Sequence, residues 1–375
     1  MNSSIKMGRL AGVSVELNWT VLAIAALVTI SVAGGILPSA APGYETTAYF
    51  LGGLVAAIGL LVSILVHELG HALVARRNGV DVKRISLWAF GGVAQLEGEA
   101  ASPKAEFKIA GVGPAVSLLL GLGLLLPAAS LPGIGGAVVA WLATINIILG
   151  VFNLIPGAPL DGGRLLRAWL WYRHGDKARA TATATRAGRI VGSGLIGLGL
   201  VQFVAGGAGG LWTAFIGWFL RGAATAEGRY SSLQNDLAGI PVRDIMTPAG
   251  PVLGDWMSVA AFIDRHVNED RRPVYFLVGP DGESRRVVSL EALAAVPLVD
   301  RYTTSVRTVA RPLTELPAAQ ADDPASELAL KMVARLTVVW DGSEPIGTVT
   351  FAQLSAAAET AQLFSGLRGE HRPAA

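Results

Sequence analysis

LLVSILVHELGHALVARR, residues 60–77, is the stretch on which the reading of this chain turns. From Tyr49 to Val66 the sequence is uncharged and almost wholly apolar, and His67, Glu68 and His71 then arrive inside the same run before Arg76 and Arg77 close it. A carboxylate and two imidazoles at that depth each cost kilocalories to bury without a partner. On a helix, positions i and i+4 share a face one turn apart, so His67 and His71 can grip one ion together. Glu68 is rotated about a quarter-turn away, where it reaches a water beside the ion more easily than the ion itself. Zinc suits two neutral imidazoles and a carboxylate, with a fourth position left open. Glu68 would take a proton from that water and later hand it to a leaving amine. A lone helical histidine is more often structural, but ionisable residues within an apolar span are rare and functional. Two of the chain's five histidines are in this stretch.

Composition agrees with a membrane setting. The 375 residues are 52% hydrophobic and 15% charged, with a mean hydropathy of +0.50, whereas an average globular domain is nearer a quarter charged. Cysteine is absent, which excludes disulfides and Cys-liganded zinc or iron–sulfur centres. A formal charge of +2 is too mild to argue for nucleic acid as a partner.

Six apolar segments could cross a bilayer: 17–37, 48–75, 106–129, 134–156, 187–205 and 208–222. Lys and Arg are sorted among their connections. They occur before the first segment, between the second and third, between the fourth and fifth, and after the sixth; the loops 38–47, 130–133 and 206–207 hold none. The positive-inside rule then sets both termini in the cytoplasm, and an even number of spans agrees. The first segment could alternatively be a signal peptide, but it is long for an h-region. From about Ser231 charges return and an approximate repeat appears. VRDIM at 242–246 recurs as VRTVA at 306–310, VYFLVGPDGE at 274–283 as LTVVWDGSE at 336–344, and VVSLEAL at 287–293 as GTVTFAQL at 347–354. The expected fold is an α-helical polytopic membrane protein of about six transmembrane helices with a small β-hairpin after the second, followed by a soluble α/β pair. Its expected divisions are a membrane domain over 1–228, repeats over 229–298 and 299–360, and a flexible tail over 361–375.

A third metal ligand is sought in NLIPGAPLDGGR, 153–164, where Pro156 and Pro159 break the fourth span and Gly162-Gly163 allow a tight turn. Asp161 is the only acidic residue between Glu106 and Asp176. By the charge sorting it meets the His pair at similar depth; its alternative role is to cap the helix that follows. Between spans two and three, residues 85–97 alternate around Gly91-Gly92 and read as a β-hairpin. That hairpin either connects the spans or offers an edge for an extended substrate.

HELGHALVARRNGV, the Gly-Gly stretch in ISLWAFGGVAQLEGE, AGVGP at 110–114 and NLIPGAPLDGG, in this order, resemble the site-2 protease family of intramembrane zinc metalloproteases. The resemblance covers about residues 15–225. It implies that His67, His71 and Asp161 bind one Zn2+ per chain and that Glu68 is the catalytic acid/base. It places Asn146 and Asn153 near the site as substrate-contacting polar residues, with Gly91 and Gly92 in the substrate-facing hairpin. Where many members carry Asn after the Gly-Pro block, this chain has Ser117. The soluble part resembles a pair of CBS domains, modules that often bind adenine nucleotides. Here the positions of the family's ribose-holding acid carry Gln353 and Ala292, so a homodimerising or substrate-contacting role is the alternative to sensing. The implied activity is hydrolysis of a peptide bond in or next to a transmembrane segment of a single-pass membrane protein, such as a membrane-tethered transcription regulator. A CBS-regulated metal transporter or channel is the competing reading.

Overall fold

The computed structural model describes residues 4–88, 91–207, 209–282, 285–331 and 336–369, and the chain divides into two compact units at Arg229/Tyr230. The first unit opens with β1 (Ser4–Leu10) and β2 (Val13–Asn18), followed by α1 (Thr20–Ser31), which runs through a π-helical turn at Val32–Ile36 into α2 (Leu37–Ala40). Then come α3 (Thr46–Arg77), β3 (Asp81–Trp88), β4 (Gly91–Glu97), α4 (Pro103–Ser130), α5 (Gly133–Asn153), α6 (Asp161–His174), α7 (Lys177–Val204) and α8 (Gly209–Asp236). Five helical stretches among the described residues are long and apolar enough to cross a membrane: Thr20–Ala40, α3, α4, α5 and α7. With 32 residues, α3 is about 48 Å long, well beyond a hydrocarbon core of about 30 Å. The sixth expected span begins α8, which falls short of that standard because charges from Arg221 onward dilute its apolar start.

α7 and α8 meet through glycine. A Cβ at Gly199 would lie 2.4 Å from the Ala214 amide nitrogen, and one at Gly217 would lie 2.6 Å from the Gly192 carbonyl oxygen. Small residues of this kind let helix backbones approach closely in membranes.

The expected hairpin exists but belongs to a larger sheet of order β1-β2-β3-β4, in which β2 and β3 run parallel and the other neighbours antiparallel. The alternation in VSVELN puts Val13, Val15 and Leu17 on one face. Val13 packs with Ile85, Leu87, Val21 and Ala72, so the sheet rests on the half of α3 that carries the histidines. β4 is a terminal strand that packs beside α3, and its Ala94 N–H reaches the Glu68 carboxylate on that helix. The N-terminal strands go beyond the sequence reading, which begins its first apolar segment at residue 17 and assigns nothing to the short alternations before it.

One ion-pair cluster joins α4, α6 and α8. Arg167 donates from Nε to Glu106 Oε1 at 2.7 Å, and its Nη1 is 4.0 Å from Glu227 Oε1. Glu106 is 1% exposed, and its Oε2 has no partner among the described residues. Burial pushes the Glu227 carboxyl above its ordinary range, against the pull of Arg167 and Arg164. Arg167→Met leaves a buried carboxylate uncompensated and is expected to cost about 3–5 kcal/mol. Thermal unfolding in detergent measures this, and an unchanged Tm would show that the cluster does not hold these helices.

In the second unit the repeat is visible as paired strands. β7 (Val274–Val278) runs antiparallel to β8 (Arg285–Ser289), and β11 (Leu336–Asp341) to β12 (Glu344–Thr350). The two repeats are not separate bodies, however, because each lends a strand to the other. β5 (Thr247–Pro248) joins the sheet β10-β11-β12-β5, where β10 is Ala318–Gln320. β9 (Arg311–Pro312) joins β6-β7-β8-β9, where β6 is Leu253–Gly254. Arg243 pairs with Asp322, and Arg307 lies 3.7 Å from Asp255, which repeats the exchange in charge. A final helix spans Phe351–Gly369 and so enters the stretch expected to be a flexible tail, while residues 370–375 lie outside the described ones.

Candidate metal centre

The buried face of α3 includes Ser63, His67, His71 and Ala75, spaced by four. Opposite it lies a face of α4 with the same spacing: Ile109, Gly113, Ser117 and Gly121, all buried. Asp161 is the first residue of α6, which begins just after the Pro-broken end of α5. It does not cap that helix: the N-cap is Leu160, and the Asp161 carboxylate turns to the histidines. Gly162 and Gly163 sit in the first helical turn rather than in a tight turn. A Cβ at Gly162 would come 2.3 Å from the Ile155 carbonyl oxygen, and one at Gly163 would come 2.3 Å from the Ala158 nitrogen. The missing side chains let α6 settle on the preceding loop, and this sets the height of Asp161.

Asp161 Oδ2 lies 3.2 Å from His67 Nε2 and 3.1 Å from His71 Nε2, and the two Nε2 atoms are 3.1 Å apart. Bonds of about 2.0–2.1 Å to a tetrahedral zinc would set ligand atoms about 3.3 Å apart, so this triangle fits the ion. Among the described residues it is the one such group of potential ligands.

The outer nitrogens are also committed. His71 Nδ1 donates to the Ile109 carbonyl at 2.6 Å, and His67 Nδ1 is 2.9 Å from Ser117 Oγ. A carbonyl can only accept, so His71 carries its proton on Nδ1 and turns a lone pair on Nε2 inward. Ser117, 1% exposed, has a hydroxyl able to accept from His67 Nδ1 in the same way when Nε2 faces an ion. Ser117→Ala is expected to weaken zinc binding about 10–100-fold, and Ser117→Thr to recover most of it. Competition with a chelator reads both, and an unchanged affinity for the Ala variant would remove Ser117 from the centre.

Glu68 stands outside the ligand triangle, as its angle on the helix requires. Its Oε2 accepts from the Ala94 backbone N–H of β4 at 3.2 Å. Gly92 lies against its stem, since a Cβ there would come 2.3 Å from Glu68 Cγ. Gly113 faces the centre itself, where a Cβ would fall 2.2 Å from His71 Nε2 and 2.6 Å from His67 Nε2.

The other expected site residues are dispersed. Gly91 opens β4 with φ +129 and open space around it. Asn146 donates to Ser63 Oγ at 2.9 Å and to the Leu142 carbonyl at 2.8 Å, one turn before His67 on the α3 face, and its buried Oδ1 has no partner among the described residues. Asn153 ends α5, half-buried. Sequence reading missed Gly113, the Ile109 carbonyl and the Ala94 amide, and left Ser117 without a role. The i, i+4 spacing of 109, 113 and 117 was the available signal; the backbone groups left none.

The family model described as "Peptidase family M50" matches residues 55–136 and 132–195. "Putative zinc metalloprotease Rip3" of Mycobacterium tuberculosis is 46% identical over 360 residues, covering 93% of this chain and 91% of its own. The structure of the site-2 protease from Methanocaldococcus jannaschii is similar at 30% identity, covering 60% of this chain and 95% of that one, with a TM-score of 0.44. The C-terminal unit is similar to the CBS domain of a bacterial CNNM/CorC family Mg2+ transporter at 17% identity, covering 36% of this chain and 97% of that one, with a TM-score of 0.29. A relative this similar along nearly the whole chain, together with a His–His–Asp triangle and an adjacent glutamate inside apolar helices, makes the assignment: the chain belongs to peptidase family M50, the site-2 proteases, and is a zinc metalloendopeptidase.

Proposed function

We propose that the enzyme cleaves a peptide bond in or next to the transmembrane segment of a single-pass membrane protein, such as a membrane-tethered transcription regulator, in regulated intramembrane proteolysis. Depth carries this reading. His67 and His71 are each 5% exposed and sit within a helix apolar enough to span a bilayer, against α4, which is equally so. A substrate helix at that depth has its backbone amides paired internally, so it must open before its carbonyl can be attacked. The outer edge of β4 beside Glu68 supports capture of the opened segment by strand addition.

His67, His71 and Asp161 would hold the zinc, which when bound polarises the scissile carbonyl and acidifies water. Glu68 takes a proton from the attacking water as the new C–O bond forms. It delivers that proton to the amide nitrogen as the C–N bond breaks, so one water is added in all. The sorting of Lys and Arg supports a multi-pass chain in the cell membrane, with α8 as a sixth span and both termini and the C-terminal pair in the cytoplasm.

For the CBS-like pair we favour homodimerisation or substrate contact over adenine-nucleotide sensing. The Gln353 amide oxygen is taken by Thr350 N at 2.7 Å and Thr350 Oγ1 at 3.0 Å, and its nitrogen donates to Thr247 on the exchanged strand. Ala292 has no polar side chain to offer.

Reconstitution into vesicles with a candidate single-pass substrate tests the reading. Product ends should map within or beside the substrate's span, and His67→Ala should lose both zinc and cleavage. Zinc entering the vesicles, with the substrate intact, would favour transport instead.

A further inference from the structure

β4 ends its sheet, yet the Ala94 N–H on that edge is already engaged, by Glu68 Oε2 at 3.2 Å. In an antiparallel pair the outward-facing groups recur every second residue. The edge that presents the Ala94 amide therefore presents that of Gly92 as well. A strand added there would run in the slot between β4 and α3, and its carbonyl would need the hydrogen that Glu68 now holds. Gly92 leaves the slot without a side chain, with the Glu68 stem lying where its Cβ would be. The catalytic carboxylate and an extended substrate thus compete for one backbone donor.

We propose that Glu68 latches the free edge of β4 in the substrate-free protein, and that an extended substrate segment adding to β4 displaces its carboxylate from the Ala94 N–H and thereby frees it for proton transfer. The inference rests on the strand-addition reading above. Its consequence is that the base is released only when a polypeptide is seated. Cleavage is thereby restricted to segments that have already unwound, because a helical segment has no carbonyl free to claim the Ala94 hydrogen.

The test uses the full-length, zinc-loaded chain in lipid nanodiscs and does not depend on turnover. Exchange of the Ala94 amide hydrogen is followed in wild type, Glu68→Ala and Glu68→Gln. Two probes are titrated by calorimetry: a peptidyl hydroxamate with an extended backbone, and acetohydroxamate, which has none. Exchange at Ala94 should be about tenfold or more faster in Glu68→Ala than in wild type, the factor expected for losing a hydrogen bond to a charged acceptor. Glu68→Gln, whose amide oxygen can accept the same bond, should fall between them. The affinity ratio of the peptidyl probe to acetohydroxamate should rise about tenfold in Glu68→Ala, since no latch remains to be displaced.

Equal exchange in wild type and Glu68→Ala, or an unchanged ratio, would overturn the latch. If the peptidyl probe protects Ala94 in Glu68→Ala but the ratio is flat, strand addition stands and the latch alone fails. If the probe leaves Ala94 unprotected, strand addition fails with it. Cleavage surviving in Glu68→Ala would instead strike the proton-transfer role, which neither readout measures.

Discussion

Glu68→Gln is expected to lower cleavage about 10²–10⁴-fold, the usual contribution of a positioned acid/base, while leaving one zinc bound per chain. The two effects separate because Glu68 lies outside the triangle formed by His67, His71 and Asp161. Its carboxylate reaches toward the β4 backbone instead. The substitution keeps the size of the side chain and an acceptor for the Ala94 amide, so the packing against Gly92 is undisturbed. Elemental analysis of the purified variant and cleavage of a reconstituted substrate measure the two arms. Loss of zinc would mean that Glu68 is itself a ligand, and retention of full cleavage would mean that another group moves the proton.

Gly113→Ala is the second large effect. One methyl group would intrude 2.2 Å from His71 Nε2, 2.6 Å from its Cε1 and 2.6 Å from His67 Nε2. A flexible side chain could swing aside, but these rings are pinned from behind by the Ile109 carbonyl and by Ser117. The methyl therefore competes with the ion for the same space. Zinc affinity is expected to fall on the order of 100-fold or more, at least the loss seen when a partner of a metal ligand is removed. Stability should fall much less than zinc affinity, because the overpacking cost of about 1–3 kcal/mol is offset in part by the preference for Ala over Gly in a helix interior, about 0.8–1.0 kcal/mol. A chelator titration beside a thermal melt makes the comparison. Zinc bound as tightly as in wild type would show that the α4 face does not wall the centre.

The HELGH segment was legible because its chemistry is local. One helical turn brings His67 and His71 onto a single face and turns Glu68 aside, whatever else the chain does. The hydrophobic lengths and the repeat from 242 onward were legible for a similar reason: period and composition act within a segment. Asp161 was reached only by pairing two segments through charge sorting, and its competing role as a cap fell only to the direction of its carboxylate. Position 117, to which the sequence assigned no role, gained its meaning from fifty residues away, where its serine hydroxyl meets His67.

By itself the sequence determined that this is a membrane protein with a paired-histidine metal motif on a long apolar helix and a duplicated α/β tail, because each of those features is written in spacing along one segment. Only the tertiary structure decided that residues 4–18 complete a sheet resting on α3, that the edge of that sheet holds Glu68, that glycine walls the ion, and that the two repeats exchange strands. Those are contacts between backbone groups of distant segments. Backbone atoms are the same at every position, so no residue type announces them until the chain has folded.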